Sequence, residues 1–273
     1  MPAFLPVEDI VVPQSLNLLA RLLEIADIRI SCSADFSHYR QIRKRHGESH
    51  LNQAFDPRHA VLGANDFWLL AENRRREAIA TYCLRRFEVP DFFDLVRSQR
   101  LWFAKKPPAG DRRYVVDCAI APFGGAIIHG GGLWVREDYR GVSRLALILP
   151  HLARAMALAR HGFDHDSAMI RDVPGQPANA NERRAKFMGR IVYGYARVER
   201  FVEGWFPPEK RNALMHLCHS TRAEAVASLA RVVAARADRG ASGQLGQRPF
   251  VDQHDQPVYA PAVLGDWQDQ ARI

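Results

Sequence analysis

Residues 133–163 constrain this chain more than any other stretch. They open on the apolar run Leu133-Trp134-Val135, pass through a polar turn ending in Arg140-Gly141, and continue as a long Ala/Leu-rich segment to Arg160. The change of pattern predicts a strand feeding a helix through a short turn. Such a junction aims several backbone N–H groups, and the positive end of the helix dipole, at one point where phosphate binds well. Pro150 inside the helical run removes one backbone bond and predicts a bend. A second apolar run, 167–171, follows the helix. The unit therefore reads strand–helix–strand, with 133–135 and 167–171 as adjacent parallel strands.

The rest of the chain supplies strands and helices around that unit. Apolar spacing predicts helices over 15–28 and 35–46, the second capped by Asp35 and carrying Arg40, Arg43, Lys44 and Arg45 on its surface. Residues 1–13 read as an irregular leader. Runs 67–71 and 77–87, joined by a polar turn, read as an antiparallel hairpin. A helical pattern covers 90–103, a Pro/Gly/charged loop 105–113, and strands 114–121 and 125–135. The second of these contains Gly130-Gly131-Gly132, a sign of a bulge or of close approach to the backbone. Beyond 171 come a helix over 181–193, strands over 196–206 and 214–220, and a helix over 221–237 opened by the capping box Thr221/Glu224. The order predicts a mixed α/β (α+β) sheet with an antiparallel first half and one parallel crossover. Residues 1–237 form one domain, and 238–273, rich in Gly, Gln, Asp and Pro, read as a flexible or wrapping tail.

Val135 through Gly141 resembles the strand-to-helix junction of the GCN5-related N-acetyltransferase (GNAT) superfamily, which reads roughly V-x-P-x-Y-R-G-x-G-x-G. Tyr139-Arg140-Gly141 matches it; the later glycines fall on Ser143 and Leu145. Asn181 at a helix start and Gly194-Tyr195 before a strand also resemble the family, and the likeness spans roughly residues 60 to 220. The resemblance implies a GNAT-like acyl-CoA N-acyltransferase fold and a cofactor that is acetyl-CoA or another acyl-CoA. Trp134 and Val135 would line its pantetheine arm. Arg140, Gly141, Val142, Ser143, Arg144 and Leu145 would cradle its pyrophosphate. Leu145 leaves two outcomes open: its side chain starts the apolar face of the helix with Leu149 and Leu152, or it fills the cradle. The segment between Phe87 and Tyr114 is longer than the family hairpin. It resembles the connection in acyl-homoserine-lactone synthases, which take acyl groups mainly from acyl carrier protein, so an acidic partner of that kind fits as well.

Acyl transfer to an amine needs a proton acceptor for the amine, polarisation of the thioester oxygen and a proton for the leaving thiolate. His129, just before the glycine run, is the candidate base or else a structural histidine. Tyr193 is the candidate acid or else a core tyrosine. The acceptor, a small-molecule or protein amine, is not named by the sequence. Histidine pairs 46/50 and 161/165 have i,i+4 spacing but contain glycine at helix ends, and 216/219 lies in a strand where residues three apart face opposite sides, so no metal is expected. No P-loop, dinucleotide fingerprint or Ser-His-Asp pattern is present. Net charge is +8 with no aromatic-interleaved basic motif, which leaves nucleic acid without a sequence basis. Four cysteines without C-x-x-C spacing, and the lack of a signal pattern or apolar span, predict a cytoplasmic protein with no membrane contact. The competing readings are a GNAT-like module that binds or regulates without catalysis and an acyl-carrier-protein-dependent acyltransferase.

Overall fold

The structure, a computed structural model, describes residues 6–48, 51–105, 113–140, 144–206 and 211–241. Helix α1 spans Val7–Ile25, β1 Arg29–Ser33, α2 Phe36–Arg45, β2 Phe67–Glu72, β3 Ala78–Val89, α3 Phe92–Arg97, β4 Arg113–Val116 and β5 Gly125–Val135. Then come α4 Leu145–Arg160, β6 His165–Arg171, α5 Ala178–Lys186, β7 Arg197–Phe206, β8 Arg211–Thr221 and α6 Arg222–Ala241. The strands form one eight-stranded sheet in the order β1-β2-β3-β5-β6-β8-β7-β4. Among the described residues only β5 and β6 run parallel, joined by α4.

Two apolar layers cover the sheet. On one face α1, α4 and α6 bury Leu19, Leu23, Leu145, Leu149, Leu152 and Ala225 against Leu69, Ile79, Tyr82 and Ile128. The opposite face carries α2, α3 and the loops around Phe55, Leu101 and Phe123, an aromatic layer over Trp68, Ile127 and Phe201. The chain between β3 and β5 crosses this face and lays β4 against β7 at the far edge.

Several elements differ from the sequence expectation. Helix α1 starts at Val7 instead of 15, taking in the stretch read as a leader and also Pro13. Tertiary contacts decide this: Val11 and Val12 pack with Val226 and Leu229, and Glu8 accepts from Arg222 at 2.9 Å. Arg43, expected on the surface of α2, is 3% exposed. The strand expected over 114–121 is only Arg113–Val116. Helix α5 begins at Ala178 and widens into a π-turn over Phe187–Val192, just before Gly194. Gly189 in that turn lies so close to the sheet that a Cβ would stand 2.4 Å from Val198 Cγ2. The capping box forms as expected: Thr221 N–H donates to Glu224 Oε2 at 2.9 Å. Helix α6 runs four residues beyond 237, and the tail from 242 lies outside the described residues.

The parallel pairing also falls elsewhere than expected. Ile127–Gly130 pairs with His165–Ala168, and residues 133–135 lie beyond the end of that ladder. An extra residue in β5 causes this. Thr81 faces Trp134 while Cys83 faces Gly131, so three steps on β5 match two on β3. Gly132 takes the bulge with φ +60°.

Arg154 of α4 and Asp166 of β6, 1% and 2% exposed, form an ion pair inside this structure. Removing one partner leaves an uncompensated buried charge. Asp166→Asn should therefore lower the urea-unfolding free energy by about 3–5 kcal/mol, and combining Arg154→Met with Asp166→Leu should recover most of that loss. Equal losses in the single and double variants would contradict this.

Candidate active site

The site is built where β5 and β6 part. Their ladder ends at Gly130 and Ala168; beyond it β5 stays on β3 through Val135, and β6 stays on β8 through Arg171. Beyond that end the two parallel strands share no ladder, and this gap in the pairing has Leu133 on one arm and Ala168 and Ile170 on the other. The mixed sheet and its parallel β5–α4–β6 crossover agree with the sequence expectation. The fold is GNAT-like.

Comparison with known proteins adds likenesses of fold alone. No protein-family model matches the sequence, and no curated protein matches it. A solved structure from Lactobacillus plantarum, described as an N-acetyltransferase, is 16% identical, covering 70% of this chain and 97% of that one, with a TM-score of 0.34. A protein described as a phosphinothricin N-acetyltransferase is 12% identical over 71% and 98%, TM-score 0.36. A GCN5-related N-acetyltransferase from Kribbella flavida is 13% identical over 72% and 98%, TM-score 0.35. The GNAT-like assignment stands on strand order and the parting of β5 and β6, not on these scores.

Around the turn, the expected cofactor residues take distinct places. Trp134 is buried on the aromatic face, with the Arg43 guanidinium 5.3 Å from its ring centroid and the His46 ring at 4.6 Å. Val135 offers its carbonyl to Arg140, whose Nε donates at 2.9 Å and closes the corner after the strand. Arg136 bridges Asp138 and Glu77; it holds the Asp138 carboxyl below its usual range, and Asn73 together with Arg136 does the same for Glu77. Gly141, Val142 and Ser143 lie outside the described residues. Arg144 stands at the start of α4 in the left-handed region, φ +53°, and its carbonyl accepts from Ile148 N–H at 2.9 Å. Leu145 is 1% exposed and lies in one cluster with Leu149 and Leu152, so its side chain starts the apolar face of the helix.

The two expected proton-transfer residues sit on opposite faces. His129 lies in the aromatic layer, 3% exposed, stacked on Phe55 with centroids 6.3 Å apart. Its Nδ1 meets Ser167 Oγ at 3.0 Å, and that hydroxyl donates to Ile128 O. Burial, with a smaller push from Arg85, drives the His129 pKa down to about 3, so the ring is neutral. Tyr193 follows the π-turn on the α4 side, in the cluster with Ala168 and Ile170 that Leu133 joins across the gap. Burial raises its phenol pKa, and its carbonyl accepts from Arg154 at 3.0 Å.

Sequence reasoning missed a polar network at the apex of the gap. Tyr195 Oη donates to Asp166 at 3.1 Å, and the Tyr82 hydroxyl bonds Tyr195. Tyr82 Oη lies where a Cβ on Gly130 would be 1.9 Å away, so only glycine fits there. Two charged residues inside otherwise apolar runs, Arg154 and Asp166, were the available signal. Among the described residues no group of three or more His, Cys, Asp or Glu is placed to hold a metal, and no helix is long and apolar enough to cross a membrane. His165 Nδ1 instead meets His219 Nε2 at 3.0 Å across β6 and β8.

Burial depresses six of the described histidines, three of them strongly: His129 and His151 to about 3, His219 to about 4. Their folded pKa values lie below the unfolded value near 6.5, so the unfolded chain takes up protons that the folded chain refuses. Their contribution is full above about pH 6.5 and is lost as pH falls toward 4 and below. Denaturation midpoints should drop across that window, and His129→Asn should flatten the slope by up to about 1.4 kcal/mol per pH unit. An unchanged slope in His129→Asn would show that the ring takes up its proton without unfolding.

Proposed function

We propose that this protein is an acyl-CoA-dependent N-acyltransferase, moving an acyl group from a coenzyme A thioester to an amine in a ternary complex without a covalent enzyme intermediate. The observation that carries the reading is the gap between β5 and β6 leading to the start of α4. A pantetheine arm would lie along Leu133–Val135 as an added strand, exchanging amide bonds with the backbone. Its pyrophosphate would meet the first turn of α4, where the helix dipole is positive. Arg140, Arg144 and the backbone through 141–143 and Leu145 would hold it. The core position of Leu145 favours this, because its side chain points away from the turn.

Tyr193 suits the proton donor for the departing thiolate. It shares a cluster with both arms of the gap and carries its proton at neutral pH, although burial raises its pKa and so makes it a weaker acid than a phenol in water. His129 does not suit the base: burial lowers its pKa to about 3, which makes it a weak proton acceptor, and it is closed in by Phe55 and Phe92. We leave the amine's proton acceptor unassigned. The buried thiols Cys83 and Cys218 suit a reducing cytoplasm.

One observation favours a second reading, a GNAT-like module that binds without catalysis. Arg140 is turned onto Val135 O, a group the pantetheine arm would use.

Calorimetry with coenzyme A separates the two. Wild type should bind, and Arg140→Ala should weaken binding by about 1–3 kcal/mol. No binding at millimolar coenzyme A would give the case to the binding module. Leu145→Gly should lose about 2–4 kcal/mol of stability through lost burial and glycine's helix cost, with no gain in coenzyme A affinity. Tighter binding without destabilisation would mean that the leucine blocks the cradle.

A further inference from the structure

We infer that Arg43 is a positioning residue for the gap between β5 and β6: from α2 it holds the bulge that turns β5 away from β6. Arg43 Nη1 donates to Gly132 O at 3.2 Å and to Thr81 Oγ1 at 3.0 Å, and its Nη2 pairs with Glu48. The guanidinium also lies over the Trp134 and Tyr39 rings, at 5.3 and 5.9 Å. Tyr39, one turn earlier on α2, puts its hydroxyl beside Gly132, where a Cβ would stand 2.8 Å from that oxygen and 3.0 Å from Cys83 Sγ. One face of α2 therefore grips Gly132, one of the two β5 residues, with Leu133, that stand opposite the single Tyr82 of β3.

A bulge takes a residue out of the ladder, and a buried carbonyl left without a donor is costly. Two arrangements could satisfy the Gly132 carbonyl. It can take side-chain donors, as here from Arg43 Nη1 at 3.2 Å and Thr81 Oγ1 at 3.3 Å, or β5 can straighten so that 131–135 extend the ladder toward 169–171 of β6. The second arrangement closes the gap. Arg43 removes the incentive for it, and the cation–π contact on Trp134 holds the residue two positions on. Burial lowers the Arg43 pKa, yet the cation persists with Glu48 beside it. The ligand used in the test below rests on the acyltransferase reading; the clamp itself does not.

Arg85 provides the control. It is buried on the same face and holds three carbonyls, Ala54, Leu101 and Val61, at 2.8–2.9 Å, none of them on β5. The test is amide hydrogen exchange and coenzyme A calorimetry on full-length wild type, Arg43→Gln and Arg85→Gln. Amides of 131–135 should change their exchange rate at least tenfold in Arg43→Gln and less than threefold in Arg85→Gln. The Kd for coenzyme A should rise about tenfold in the first and stay within threefold in the second. Thr81→Val, which removes both a group seating Arg43 and the second donor to Gly132 O, should shift both readouts in the same sense by a smaller factor and serves if Arg43→Gln does not fold. Equal effects of Arg43→Gln and Arg85→Gln, or no effect of Thr81→Val and Arg43→Gln on 131–135, would overturn the inference. Absence of coenzyme A binding by wild type would instead remove the acyltransferase reading, with the exchange data still deciding the clamp.

Discussion

The buried Arg154–Asp166 pair fixes the crossover helix to the strand it leads into, at the point where the sheet begins to split. Asp166 faces Ile128, two residues before the β5/β6 ladder ends. Arg154 also reaches the Tyr193 carbonyl, and Tyr195 bonds the same aspartate. One charge pair thus seats α4, β6 and the segment leaving α5 together. Such a pair adds little net stability over an apolar filling, because desolvation offsets the attraction. What it supplies is a definite arrangement: with the seam held, the strands beyond it can diverge without the helices drifting apart.

The divergence has a second cause on the opposite face. The β5 bulge needs glycine at 132 and a donor for its carbonyl, and α2 supplies that donor. The aromatic layer beyond it, including Phe55, Phe92 and Phe123, closes over His129 and leaves that side of the sheet dry. Polar chemistry at the gap is therefore concentrated on the face of α4 and Tyr193. A proton acceptor for an amine would have to act from there or from the acceptor itself.

How much of this was legible in the sequence follows from the range of the interactions involved. The 125–135 strand, the helix after Arg144, the Asp35 cap and the Thr221/Glu224 box are local patterns, and each formed. Helix α1 was misread at its start because Pro13 argues against helix locally, while Val11, Val12 and Glu8 are held by α6, more than 200 residues away. Arg43 was taken as surface because its neighbours Lys44 and Arg45 are. Its burial depends on a carbonyl in β5 that no helical period can announce. The glycine run at 130–132 signalled close approach correctly but not what approaches: Tyr82 at the first, Phe55 at the second, Tyr39 and Cys83 at the third. The candidate site was legible as a junction and illegible as chemistry, since the faces of His129 and Tyr193 depend on the bulge and the π-turn.

The central claim is that the parted strands receive a coenzyme A thioester. Backbone amide NMR of the full-length protein during titration with coenzyme A tests it most directly. The account predicts the largest shift changes at 131–135, 144–147 and 169–171, with His129 and β1 unmoved. Binding that perturbs another surface, or a titration that leaves these amides unchanged, would contradict it.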